Sequence, residues 1–247
     1  MEQGGTLKSE NDKGTIITNH DKDKASSNTV TIDANGKNDK VEVTLKDVNI
    51  DASRGSEAAV SVTGKGDTTI ELDGDNELKS GAGHAGLEHN KTDTSGELTI
   101  QDKDNNGSLE AAGGFKGAGI GSAGSNDAQV KITGGNITAT TSDDWGAGIG
   151  SGSYGTGTVE ITGGEINATG GYLGAGIGGG CNGSGNVTIS GGTITAAGSD
   201  GAAGIGGGYY NGATVTITGD AVIKNASSTK YGAGIGGGNG SGSVDVG

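Results

Sequence analysis

The chain of 247 residues is long enough for one or two globular domains, yet 56 glycines, no proline, 30% hydrophobic and 3% aromatic residues supply too few large side chains for a compact core of that size. That composition admits either a disordered glycine-rich chain or a repeat in which small residues pack in thin layers, each covered by the next. A formal net charge of −14 excludes the basic footprint that nucleic acid or an anionic membrane surface requires, and favours cations instead.

Residues 2–14 (EQGGTLKSENDKG) lack the apolar core of a signal peptide, and no stretch approaches the ~18 apolar residues of a membrane span. Residues 1–40 read as an N-terminal cap or an irregular first coil, with TVTI at 29–32 as their strand-like string. From residue 41 onward an apolar alternation sets in. VTLKDVNIDA (43–52), IELDGDNELKS (70–80) and LTIQDKDNNGSLEA (98–111) are degraded copies of a unit seen more clearly in VKITGGNITAT (130–140), VEITGGEINAT (159–169), VTISGGTITAA (187–197) and VTITGDAVIKNA (215–226). The first valines of the clear copies lie 29, 28 and 28 residues apart. Between them runs a second motif, GAGIG at 117–121, 146–150, 174–178 and 232–236, with AAGIG at 202–206.

Within a copy, V-x-I alternates as a half-buried strand, Thr-Gly-Gly turns the chain, and I-x-A opens a second short strand. A tandem period of 27–33 residues built from short strands specifies a coil that pairs with its neighbours one turn away. Residues 41–247 are therefore expected to form an all-β, right-handed parallel β-helix, or solenoid, of about eight coils, roughly 38 Å long at ~4.8 Å per coil. Val43, Ile70, Leu98, Val130, Val159, Val187, Val215 and Val244 are expected in one row, with Val60 and Leu87 leading Ile120 in the other. The phased β-branched residues argue against disorder. SGSVDVG stops inside a strand position, so the string reads as an excerpt of a longer chain whose export signal lies elsewhere.

All seven aromatic residues, Phe115, Trp145, Tyr154, Tyr172, Tyr209, Tyr210 and Tyr231, fall within six residues of a GAGIG isoleucine, and none lies in a V-x-I strand. Consecutive coils then place them along one or two edges of the rod. Rings on a glycine-walled edge can stack on sugar faces while Asp143, Asp144, Asn182 and Asp200 exchange hydrogen bonds; the plainer reading is that the rings cover loops and core. Asp102, Asp104 and Asn106 in DKDNNG form the first half of a calcium loop, but the twelfth position holds Gly113 in place of the bidentate acid, so a polar turn is the competing reading.

Other motifs carry less. GAGIGGG lacks the flanking helix and single occurrence of a phosphate loop. His84 and His89 are five apart with no cysteine partner, and the lone Cys181 permits no internal disulfide. A lyase centre would need a basic group beside its carboxylates, and Arg54 is the only arginine. The ladder Thr133, Thr162, Ser190 and Thr218 suggests an ice-binding face, interrupted by neighbours such as Lys131 and Glu160.

TLKDVNI (44–50), AAVSV (58–62), TTIEL (68–72) and the later ITGG-x-ITA units resemble bacterial carbohydrate-binding domain proteins, right-handed β-helices of which some bind polygalacturonate-like pectic chains. The resemblance spans roughly residues 40–240, and implies a β-helix that meets polysaccharide. Where that family often carries an acidic Asp-Asp-Gly-Ile-Lys unit able to serve calcium, this chain repeats GAGIG. The expected function is a non-catalytic extracellular or cell-surface module binding a polysaccharide or glycan along the aromatic edge, with calcium as its candidate ion. The alternatives are a structural spacer and, more distantly, a polysaccharide lyase or an ice-binding protein.

Overall fold

A computed structural model of the chain describes residues 6–8, 13–141 and 145–247. Among these residues there is no α-helix, and so no helix long and apolar enough to cross a membrane. The strands pair in parallel from coil to coil, except where Asn90 and Lys91 run antiparallel to Ala128 and Asp127. The result is a parallel β-solenoid of about eight turns.

Each coil passes through three faces. In one representative coil these are a two-residue strand at Ile149–Gly150, a five-residue strand at Gly157–Ile161 and another at Glu165–Thr169; the next coil repeats them at Ile177–Gly178, Gly185–Ile189 and Thr193–Gly198. Like residues meet like: Val159 pairs with Val187, Ile161 with Ile189, Ile166 with Ile194 and Ala168 with Ala196. The two-residue strands stack Ile120, Ile149, Ile177, Ile205 and Ile235 in register.

The period-2 alternation explains the packing. Val159 and Ile161 point inward and are buried, whereas their alternating neighbours Thr158 and Glu160 remain partly open to solvent. Each buried Val or Ile contributes about 1.5–3 kcal/mol through the apolar surface it removes from water. These thin stacked layers use Ile, Val, Leu and Ala almost alone, so aromatic residues are not needed in the core. The strands themselves exclude proline, because an interior strand of a solenoid needs its N–H groups for the neighbouring coil.

The register corrects one expected row. Leu98 pairs with Thr68, not Ile70, and Ile70 joins Val43 on one side and Ile100 on the other. The inner rows therefore run Val41, Thr68, Leu98, Val130 and Val43, Ile70, Ile100, Ile132. A shift of two residues leaves every side chain on its original face, so alternation alone does not distinguish the two registers. The N-terminal region also winds with the rod: Val30–Ala34 pairs with Val60–Gly64, and Lys13–Thr18 with the strand Lys40–Lys46.

Charge and aromatic residues divide along the axis. Of the 30 acidic and 16 basic residues, 22 and 12 precede Gly114, whereas every aromatic residue follows it. The rod thus has a charged half and a half whose outer surface carries hydroxyls, amides and rings.

Candidate functional site

The GAGIG unit is a clasp. In successive coils Ala118 N–H donates to the Ser122 carbonyl (3.1 Å), Ala147 to Ser151 (3.0 Å), Ala175 to Gly179 (3.0 Å) and Ala203 to Gly207 (2.9 Å). This brings the residues before and after each two-residue strand side by side. Close backbone approach fixes the glycines: a Cβ on Gly148 would stand 2.7 Å from Thr169 N and Gly176 O. Gly150, at φ +131, would drive one into the Gly178 carbonyl. These glycines form a packed wall and do not cradle a phosphate.

A β-turn protrudes on each side of the clasp. The preceding turns, at 81–84, 114–117, 171–174 and 199–202, are closed by bonds such as Gly117 N–H to Gly114 O (2.9 Å) and Gly174 N–H to Gly171 O (2.9 Å). The following turns occupy 123–126, 152–155, 180–183 and 208–211, closed for example by Gly183 N–H to Gly180 O (2.7 Å). The third residue of each turn has positive φ, the requirement of a type II turn. In the first column these are Gly83, Lys116, Leu173 and Gly201; in the second, Ser125, Tyr154, Asn182 and Tyr210.

The two columns are joined. Lys116 O accepts from Ser153 N–H of the next coil (2.9 Å), Trp145 O from Cys181 N–H (2.7 Å), and Leu173 O from Tyr209 N–H (3.0 Å). Of the two geometries expected, one edge or two, the molecule therefore has one: a double ridge of stacked turns along the aromatic half of the rod.

Rings gather on this ridge in two groups. Phe115 and Trp145 have centroids 5.8 Å apart, Trp145 and Tyr154 meet edge to face at 6.5 Å, and the Lys116 ammonium lies 5.1 Å from the Phe115 ring and 5.3 Å from that of Trp145. Further along, Tyr209 and Tyr210 have centroids 3.8 Å apart. A Cβ on Gly201 would be 2.5 Å from Tyr209 Cδ2, so that ring lies against bare glycine backbone. Phe115, Tyr154, Tyr172, Tyr210 and Tyr231 are exposed, Tyr231 at 82%.

The polar candidates are placed less favourably. Asp200 accepts from Lys230 Nζ and Thr229 Oγ1, each at 3.1 Å, and these bonds, Lys230 foremost, hold its carboxyl below the usual range. The Tyr209 hydroxyl is held above the usual phenol range, chiefly by its hydrogen bond with Tyr210. Asn182 sits at a left-handed turn position and reaches the buried Cys181 Sγ (3.3 Å). Burial alone pushes the Cys181 thiol up. Asp143 and Asp144 lie outside the described residues.

DKDNNG folds as a capped turn. Both carboxylate oxygens of the buried Asp102 accept backbone hydrogen bonds, Oδ1 from Asn106 N–H (3.2 Å) and Oδ2 from Gly107 N–H (3.0 Å), while Asp104 and Asn106 are exposed. Among the described residues no three of His, Cys, Asp and Glu gather as a metal site.

His84 and His89 are separated by environment as well as sequence. His84 Nδ1 contacts Glu88 (2.8 Å), whereas His89 is buried with Nε2 3.0 Å from the Gly96 carbonyl and Nδ1 without a partner. Burial, helped by the Lys91 charge, depresses the His89 pKa to about 4.

Sequence reasoning missed Lys116 and Leu173, the non-glycine residues that hold turn geometry next to the rings. Their signal is the G-x-x-G frame in GFKG and GYLG, each just before the clasp alanine.

Three segments, 130–153, 159–181 and 187–209, match the family model described as Beta helix repeat. Each runs from the first valine of a copy to the second residue of the turn that follows the clasp, so the matched unit includes the clasp and stops one residue before Tyr154, Asn182 or Tyr210. No curated protein and no solved structure matches the chain.

Proposed function

We propose that the chain is a non-catalytic carbohydrate-binding or adhesion module of the cell surface or extracellular space, which takes a polysaccharide along the double ridge. The observation that carries this reading is the presence of exposed tyrosines at left-handed turn positions. Tyr154 (φ 67) and Tyr210 (φ 65) occupy a place that Ser125 and Asn182 fill in other coils. A bulky residue there is uncommon and costs about 1 kcal/mol. Such strain is characteristic of positions retained for what they contact.

Rings and amide groups presented side by side suit sugar, whose apolar faces stack while its hydroxyls bond. Net charge of −14 gives no general attraction for an acidic chain, so affinity comes from stacking and short hydrogen bonds. Each contact is weak. Two ring groups on one rod act together on a polymer through effective concentration, which favours polysaccharide over monosaccharide.

The test is a glycan array followed by titration of the best polymer with the parent and with a Trp145→Ala, Tyr154→Asn, Tyr210→Asn variant, which takes rings from both groups. Loss of binding with an unchanged β-type circular dichroism spectrum supports the proposal, because none of these side chains belongs to a core ladder. Equal binding by both proteins, or no polymer bound by the parent, gives first place to a structural spacer whose rings only cover turns.

A further inference from the structure

Six of the eight asparagines after Gly114 stand two residues ahead of a serine or threonine; of the ten before it, two do. Hydroxyl residues are no denser there, 27 in residues 115–247 against 21 in residues 1–113, so composition does not explain the difference. Asn-x-Ser/Thr is the acceptor string for N-linked sugar. A β-strand presents it well: side chains at i and i+2 point to the same side, so an outward asparagine brings its hydroxyl partner out with it.

The structure separates these strings. At Asn90 the amide donates to Glu88 Oε1 (3.1 Å) and the side-chain carbonyl accepts from Ala123 N–H (2.8 Å), so both ends are occupied. Asn182 is half-buried against Cys181, and Asn239 interacts with the Tyr209 hydroxyl. Ser108, the hydroxyl partner of Asn106, donates to Asp75 (2.8 Å). By contrast, Asn186 and Thr188 are both exposed on the outer side of the strand Gly185–Ile189, with the buried Val187 between them fixing the backbone. Asn225 is exposed on Val222–Ser228, directly after the register shift that leaves Lys224 unpaired, and its Nδ2 donates to Ser227 Oγ (3.3 Å). A bulge of this kind re-aims the side chains beside it.

We propose that Asn186 and Asn225 are sites of N-linked glycosylation, each taking a sugar activated as its diphosphate ester. In the transfer Asn Nδ2 attacks sugar C1. The C1–N bond forms, the C1–O bond to the diphosphate breaks with its electron pair leaving on the diphosphate, and one amide proton passes to a base of the transferase. An amide nitrogen is a poor nucleophile because its lone pair is shared with the carbonyl, so a hydroxyl that takes a hydrogen bond from it, as Ser227 does from Asn225, holds the nitrogen for attack. Sugar also answers the uneven charge of the rod: the first half holds 22 of the 30 acids that keep it hydrated, and a bulky hydrophilic group does the same for the second. Neither strand belongs to the ridge, so modification there leaves the rings free whatever they bind.

The experiment is peptide mapping of the chain isolated from the cells that make it, by electron-transfer fragmentation, which leaves sugars on their side chains. Sugar is expected on Asn186 and Asn225, with Asn211 bare because the second residue after it is Ala213. Thr188→Val should strip Asn186 alone, Ser227→Ala should strip Asn225 alone, and Thr188→Ser should keep the sugar. Thr188 is exposed and Ser227 half-buried outside the core ladders, so the variants should keep the parent's circular dichroism. One or two sugar residues at each site assign stepwise transfer from a nucleotide carrier, and a preassembled oligosaccharide assigns a lipid carrier. Bare asparagine at either position in the parent, sugar that survives removal of its hydroxyl partner, or sugar on the hydroxyls in place of the amides overturns the proposal.

Discussion

Thr68 is the clearest test of the stacking argument. It occupies an inner row between Val41 and Leu98, is 1% exposed, and its hydroxyl finds no hydrogen-bond partner. A buried hydroxyl left unsatisfied costs about 1–3 kcal/mol, and valine has nearly the same shape without that group. Thr68→Val should therefore stabilise the rod by about 1–2 kcal/mol, equivalent to a rise in Tm of roughly 2–8 °C for a chain of this size. The neighbouring outward Thr69→Val is the control and should stay within about 0.5 kcal/mol of the parent. Urea denaturation followed by circular dichroism measures both, with the slope expected to remain constant while the midpoint moves. A midpoint for Thr68→Val at or below that of the parent would refute the row assignment and the reasoning built on it.

Three other outcomes follow from the described geometry. Gly150→Ala should destabilise by more than about 3 kcal/mol, since it adds a side chain at positive φ against a neighbouring carbonyl, and thermal unfolding reads the loss. Protons bind unfolded His89 near pH 6.5 but the folded residue only near pH 4, so its contribution of about 3 kcal/mol is complete above pH 6.5 and disappears as pH falls toward 4. That part of the pH dependence should be absent from His89→Gln. Tyr154→Asn should leave stability within about 1 kcal/mol, because relief of left-handed strain offsets the lost edge contact with Trp145, yet it should weaken polysaccharide binding in titration.

The fold was legible wherever the repeat was regular. Isoleucines of the clasp and valines from Leu98 onward stand in the rows that their spacing demands, because each pairs with its own counterpart. Thr68 hid the true register of the preceding coil: a polar residue in an apolar row makes the row invisible to hydrophobic pattern, and a two-residue slip preserves alternation. The aromatic edge was legible as a cluster but not as a double ridge. Its form depends on hydrogen bonds between turns in successive coils, such as Ser153 N–H to Lys116 O, which are long-range contacts without a trace in local composition. In DKDNNG the string carries two readings at once, since an aspartate that caps a turn, as Asp102 does, and one that ligates calcium share the same short sequence.

The ladder also acts as a ruler. Peptide hydrogen bonds, not side chains, set the advance from one coil to the next, so the teeth of the ridge recur at about 4.8 Å whatever residues they carry. Mutation can exchange a ring for an amide on any tooth, but it cannot alter the pitch. A polymer whose repeat is close to that interval, or to twice it, stays in phase from the Phe115 and Trp145 group to the tyrosines beyond; one of unrelated pitch can touch either group but not both.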